Sequence, residues 1–336
     1  MALHQRGSVE FGPPLLHNNW SVLHIIHDRI SIAVPDSVDS IMSFSRYSFL
    51  NKFLGLAMMA WIATTVLGET STPNPLGVFN FDLSRVAKTP VQQAMALREI
   101  GFTGVTLNFN GKREAVEAEF EGFRKTGRSG DFQVYAAHLA YFIENDEKQN
   151  MEQVEWALGL LKSVNADLWL IVRSRDNKPV PRTRLLKNVE MVADLCAQRG
   201  VHCVLYPHDN TLIENAGEAV SIVKELRRDD IWISFHLCHE IRAGNGDRLE
   251  EVAQMIKPYI RLASISGSDN KYVDNSIDWS QNIQPLDMGS YDTSKFINAL
   301  QSIGYRGAVI LHTYGLQNAK PDHHLRSFKK YQQLFR

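Results

Sequence analysis

Net charge is almost absent from this chain: 36 Lys plus Arg stand against 37 Asp plus Glu, leaving −1 over 336 residues. No broad positive field exists to attract a polyanion through counterion release, so nucleic acid is not an expected partner. Cysteine is scarce as well. Cys196, Cys203 and Cys238 are the three present, none in a C-x-x-C pair, and each falls inside a segment that reads as helix or strand. They are expected to be buried thiols, which excludes a disulfide framework and a thiolate zinc site. Several signatures of common chemistry are missing: no G-x-G-x-x-G follows the first strand, and no Walker loop, G-x-S-x-G elbow or H-E-x-x-H occurs. Dinucleotide-binding, nucleotidase, serine hydrolase and metalloprotease readings therefore lack their motifs.

A membrane-length apolar run is also lacking. Phe53–Leu67 reads FLGLAMMAWIATTVL, fifteen residues, short of the roughly 20 that a spanning helix needs. It follows Arg46 and Lys52 and ends at Gly68-Glu69, the n-region, h-region and small-residue boundary of a secretory signal. Residues 42–68 are thus expected to be a cleaved signal peptide and the protein to be exported. The membrane would be met only through that segment if it stayed uncleaved. Residues 1–41 make an unusually long n-region, and the expectation is that translation begins at Met42, with 1–41 an extension outside the native chain. Residues 69–336 remain for the folded domain.

What is present after the signal is alternation. Eight short apolar runs, Gly77–Leu83, Gly104–Phe109, Phe132–His138, Leu168–Arg173, His202–His208, Ile231–Leu237, Arg261–Ser266 and Ala308–Thr313, are separated by longer segments of helical period. These segments include Val91–Ile100, Met151–Ser163, Leu185–Gln198, Ala216–Arg227, Leu249–Ile256 and Ser294–Ile303. Strands alternating with amphipathic helices indicate βα units and a parallel sheet. Eight units in about 260 residues match an α/β fold of the (β/α)8 TIM barrel type. An internal echo favours closure. Leu97-Arg-Glu-Ile-Gly-Phe-Thr-Gly104 precedes the second strand and Leu300-Gln-Ser-Ile-Gly-Tyr-Arg-Gly307 the eighth. Gly101 and Gly304 are expected to end their helices in the left-handed conformation.

Sites in such barrels lie at strand C-termini, and there histidines gather. His138, His208, His236, His239 and His312 fall at or just past strand ends, whereas His202, His323 and His324 lie elsewhere. One rim rich in imidazole suggests a divalent metal or acid/base work. Asp269 after the seventh strand and Glu240 beside His239 are candidate oxygen ligands or bases. Asn80 and Asp82 on the first strand and Asn108 on the second suit hydroxyl-rich ligands. Gln284 and Asp292 belong to a long polar insertion of the kind that often binds or covers a site, and Asp292 is alternatively a helix N-cap.

From Val201 onward the chain resembles the xylose-isomerase-like TIM barrels known as sugar phosphate isomerases/epimerases, in particular exported bacterial members. The resemblance rests on Leu205-Tyr-Pro-His208, Phe235-His-Leu-Cys-His239, Ile265-Ser-Gly-Ser-Asp269, Ile283-Gln-Pro-Leu-Asp287 with Gly289-Ser-Tyr-Asp292, and Leu311-His-Thr-Tyr-Gly315. It implies metal-assisted proton transfer at a carbon next to a carbonyl. Metal-dependent members present Glu, Asp with His three residues on, and Glu at positions that match Tyr206, His236 with His239, and His312 here. Only His239 is unchanged. The resemblance thus implies zinc, manganese or cobalt at His208, His239 and His312. Catalysis is then expected from His236, Glu240 and Asp269, and the polar groups of the rim, Asn80, Asn108, His138, Tyr206 and Gln284, are expected to contact a small-molecule carbohydrate; the departure from the acidic ligand set also leaves open that metal binding is lost. Export argues for an unphosphorylated or oxidised sugar. The alternatives are a non-catalytic carbohydrate-binding barrel, suggested by the missing acidic ligands, and a metal-dependent nuclease, disfavoured by the charge balance.

Overall fold

The computed structural model describes residues 72–335 apart from 128–129, 176–177 and 271–277. The expected extension at 1–41 and signal segment at 42–68 lie outside the described residues. Eight parallel strands close into a barrel in chain order, with the eighth paired to the first. They are β1 (Leu76–Phe79), β2 (Gly104–Asn108), β3 (Gln133–Phe142), β4 (Asp167–Arg173), β5 (Cys203–Leu205), β6 (Ile231–His236), β7 (Ile260–Ile265) and β8 (Val309–Leu311). Helices follow the strands as α1 (Pro90–Ile100), α2 (Arg113–Gly127), α3 (Glu147–Lys162), α4 (Arg182–Arg199), α5 (Ala216–Leu226), α6 (Leu237–Arg242), α7 (Leu249–Ile256), α8 (Ser294–Ser302) and α9 (His323–Gln333).

Each expected strand has its counterpart, and the first and fifth end earliest relative to expectation. The first stops at Phe79, and a 3-10 turn takes Asn80–Arg85, so Asn80 and Asp82 are not strand residues. The fifth stops at Leu205, although Tyr206 N–H still donates to Leu170 O at 2.8 Å and so keeps the register one residue further. Pro207 then ends the pairing because it has no N–H to give. Gly101 and Gly304 adopt φ of 117° and 72°, as their place after α1 and α8 requires. At Gly101 a Cβ would also lie 2.3 Å from the Phe328 ring.

Strand side chains alternate between two surroundings. Outward residues such as Val105, Leu107, Leu168, Leu170, Val172 and Leu205 join the helices in one large core. Inward residues Phe79, Ala136, Trp169, Ile171, Val204, Tyr206, Leu262 and Ile310 pack together in a second cluster, which fills the barrel in layers. The seam between first and last strand is held from below. Asn74 Nδ2 donates to Tyr305 O and Gly307 O, and Tyr331 Oη donates to Asn74 O.

The C-terminal helix is fixed to the end of β1 by charge. Asp82, His323 and His324 are all buried. His323 Nε2 bonds Asp82 Oδ2 at 2.6 Å, and His324 Nε2 lies 3.4 Å from Oδ1. Burial by itself would raise the Asp82 carboxyl, but hydrogen bonds and charge from the two histidines outweigh it and hold the group well below the usual range. A depressed native pKa contributes stability above the unfolded value of 3.8, and that contribution is lost as pH falls below it. Asp82→Asn is therefore expected to cost about 3–5 kcal/mol near neutrality and to flatten the acid limb of a denaturation curve followed by circular dichroism. An unchanged acid midpoint would show that the cluster does not tie helix to barrel.

Candidate active site

The two-residue period that fills the barrel carries five side chains one step further, to its C-terminal mouth. Ala136 is followed at that spacing by His138, Ile171 by Arg173, Val204 by Tyr206 and then His208, and Ile310 by His312. Asn108 ends β2 beside His138 in register. Helix α6, one and a half turns directly after β6, brings His239 to the same place. His239 thus stands on a helix just past the strand end. These residues line a cavity of about 260 Å³ with Phe81, Ile171, Trp279, Ile283 and Tyr314.

Hydrogen bonds decide which nitrogen of each ring carries its proton. His208 Nδ1 lies 2.6 Å from Asp209 O. A carbonyl only accepts, so Nδ1 is the N–H and Nε2 keeps a lone pair. His239 is the opposite case. Its Nδ1 accepts from Asp209 N–H at 3.4 Å, which puts the proton on Nε2, a buried atom with no partner. His312 Nδ1 accepts from Tyr314 N–H at 3.3 Å, and its Nε2 lies 3.1 Å from Tyr206 Oη. His312 therefore donates to Tyr206, and the tyrosine O–H is released toward another acceptor. In the same way Ala140 N–H donates to Asn110 Oδ1 and fixes that amide. Asn110 Nδ2 then donates to Asn108 Oδ1 and to His138 Nδ1. The proton of His138 thus sits on Nε2, again without a partner.

Burial keeps all four rings neutral. It pushes His138 down to about 3 and His312 to about 3, with His208 adding to both shifts. Burial also takes His208 down to about 4, where the bond to Asp209 opposes it and the Arg173 charge reinforces it. Burial and the neighbouring imidazoles place His239 well below its ordinary value. Burial raises the Tyr206 hydroxyl, keeping it protonated.

Asp209 organises this arrangement. Its carbonyl accepts from His208, its N–H donates to His239, and its carboxylate accepts from Arg242 Nε at 2.7 Å. The Arg242 guanidinium stacks 4.1 Å from the Trp279 ring, and that ring in turn faces His208 and His239 at 5.4 and 5.1 Å.

Besides Asp82, six expected site residues, His236, Glu240, Asp269, Gln284, Asn80 and Asp292, stand elsewhere. His236 is an interior residue stacked 5.0 Å from Trp169 and 3.8 Å from Tyr206. Ser234 Oγ gives its proton to Leu205 O, so it accepts from His236 Nε2; Ser264, opposite in register, donates to Nδ1 at 2.7 Å. Both nitrogens are occupied, which leaves none to move a proton. Glu240 accepts from Ala216 N–H and Asn245 Nδ2, so its carboxylate holds the start of α5 in place. Asp269 accepts from Ser290 N–H and Gln284 Nε2, tying the insertion between β7 and α8 together; neither it nor Gln284 lines the cavity. Asn80 Oδ1 accepts from Asn108 N–H and supports the wall from behind. Asp292 accepts from Ser294 N–H just before α8, whose N-cap position is held by Thr293 and not by Asp292. Arg173, Asp209, Arg242 and Trp279 are not among the expected residues. The same alternation that marks His138 and Tyr206 also marks Arg173.

The donor atoms for an ion are grouped: Cys238, His239 and His312 each place one ligand atom within 4.8 Å of the others. Their protonation is another matter, because a metal takes lone pairs. Of the expected ligands only His208 turns one to the cavity, since the Nε2 atoms of His239 and His312 carry protons. Burial raises the Cys238 thiol to about 12, and it packs with Ile283 and Leu316. Among the described residues no carboxylate lines the cavity. The set His208, His239 and His312 therefore does not fit a resident dication as it is hydrogen-bonded. Elemental mass spectrometry on the purified chain is expected to find well under one zinc, manganese or cobalt per chain after dialysis against a chelator. One ion per chain, lost in His239→Ala, would overturn the proton assignment.

The family model described as xylose isomerase-like TIM barrel matches residues 95–331, and the chain belongs to that family. No curated protein matches the sequence. Among solved structures, a xylose isomerase domain containing protein from Salmonella typhimurium superposes with a TM-score of 0.67 at 14% identity, covering 79% of this chain and 99% of that one. The IolI protein with a bound zinc atom gives 0.60 at 14%, covering 76% and 96%. The 3-keto-D-glucoside 4-epimerase of E. coli gives 0.58 at 15%, covering 77% and 99%. At such identities the likeness establishes the barrel fold.

Proposed function

We propose that the protein is a sugar isomerase or epimerase that moves a proton at a carbon next to a carbonyl. One observation carries this reading: a single lone-pair nitrogen, His208 Nε2, shares a small cavity with three donors, His138 Nε2–H, His239 Nε2–H and Tyr206 O–H. Family membership and the epimerase among the structural relatives support it. So does the apolar run before the barrel, which favours a carbohydrate met outside the cytoplasm.

His208 takes the proton from the carbon, and the electron pair left behind forms the carbon–carbon double bond of an enediolate. The former carbonyl oxygen becomes negative and is received by the donors. Neutral imidazole N–H groups suit this task because they stabilise an oxyanion without themselves needing to lose charge. For isomerisation the proton returns from His208 to the neighbouring carbon while the hydroxyl there passes its own proton to the former carbonyl oxygen; for epimerisation an N–H or O–H donor on the opposite face protonates the original carbon and is restored, through solvent, by the proton His208 took. Phe81, Trp279 and Tyr314 supply the apolar faces against which a sugar ring packs.

Incubating aldoses and ketoses in D₂O tests the reading, because the transferred proton exchanges with solvent. Deuterium incorporation at the carbon next to the carbonyl is expected, falling by about 10²–10⁴-fold in His208→Ala. Exchange undiminished in that variant would sink the assignment of the base. Sugar binding without exchange in the wild type would select the carbohydrate-binding barrel instead.

A further inference from the structure

Among the described residues, nine buried side-chain nitrogen and oxygen atoms have no hydrogen-bond partner. Three of them, His138 Nε2, Arg173 Nε and His239 Nε2, line the one cavity at the barrel mouth. All three are donors. Among the described residues the wall has no carboxylate to meet them, and the adjacent Asp209 carboxylate is engaged by Arg242 Nε and Asn210 Nδ2. Among the described residues the mouth therefore presents N–H and O–H groups around a fixed cation, with a lone-pair nitrogen at His208.

Arg173 gives the cavity its sign. It is the last residue of β4 and continues the inward row of Trp169 and Ile171. Its guanidinium lies 5.7 Å over the Phe142 ring, and among the described residues it forms no ion pair. A half-buried guanidinium without a counter-ion is costly, and a neutral sugar's hydroxyls satisfy its N–H groups without offsetting its charge. An acceptor-only anion does both.

We propose that Arg173 anchors an anionic group of the substrate, so that the site takes carbohydrates bearing a carboxylate or phosphate in preference to neutral sugars. The inference rests on the carbohydrate reading of the site and narrows its substrate class. The anionic oxygens sit on Arg173, and His138 and His239 donate to the oxygen at the carbon that reacts.

Isothermal titration calorimetry on the wild-type chain tests this with D-glucuronate and D-galacturonate, D-glucose 6-phosphate and D-fructose 6-phosphate, and neutral D-glucose, D-galactose and D-fructose. At least one anion is expected to bind ten-fold or more tightly than its neutral twin. That margin should shrink by ten-fold or more in Arg173→Met and recover in part in Arg173→Lys, which keeps the charge and loses the fork. Preference within the uronates or the phosphates identifies which anion the anchor serves. Neutral sugars binding as tightly as the anions, no anion binding at all, or an anion margin unchanged in either variant would overturn the proposal. Circular dichroism confirms that each variant is folded, and Arg173→Lys carries the comparison if Arg173→Met is not. Tight anion binding without deuterium exchange would keep the anchor and remove the proton-transfer reading; exchange on neutral sugars without anion preference would do the reverse.

Discussion

Closure of eight parallel strands imposes the constraint on which everything else here depends. Once the sheet closes, every second side chain must occupy the barrel interior, and the layers of Phe79, Trp169, Tyr206 and their neighbours fill it. Inward positions beyond that packed interior, on the strands or just past their ends, have no layer above them. Polar side chains at those positions keep one end against the packed interior and present the other to the mouth, which is how His138, Arg173, His208 and His312 come to face one another.

Convergence alone does not define chemistry. Five imidazoles lie in and around the mouth, but their hydrogen bonds give them three different states. His208 turns a lone pair inward, His138 and His239 turn a proton inward, and His236 turns nothing inward because two serines hold both its nitrogens. A backbone peptide makes the sharpest distinction. The carbonyl and the N–H of Asp209 address two rings whose centroids are 4.2 Å apart, so neighbouring histidines of one type receive opposite roles. Burial then keeps the rings neutral near pH 7, and they act as donors and acceptor without competing for a shared proton.

The carboxylates show the same lesson from the other side. Glu240 and Asp269 adjoin the site in sequence, yet each spends its oxygens on backbone and amide donors that shape loops and helix starts. Their absence from the cavity wall leaves Arg173 as its fixed charge. That reverses the polarity expected of a metal cradle and turns attention to the charge of the substrate.

By itself the sequence determined the strand count, the helices between strands, the left-handed stops at Gly101 and Gly304, and the rim to which the histidines belong. These follow from local periodicity and backbone sterics, which a single chain segment displays. The alternation also contained Arg173, legible at the same spacing as Ile171, though a search for histidines and carboxylates passed over it. Only the tertiary structure decided that β1 gives way to a turn at Asn80, that His239 rides on a short helix, and that His236 is sealed between Ser234 and Ser264. It alone decided the proton positions on His208 and His239, and the distant pairing of Asp82 with His323. Each of these depends on a partner brought near by closure of the barrel or by a neighbouring loop, and no periodicity along the chain encodes which donor will meet which ring.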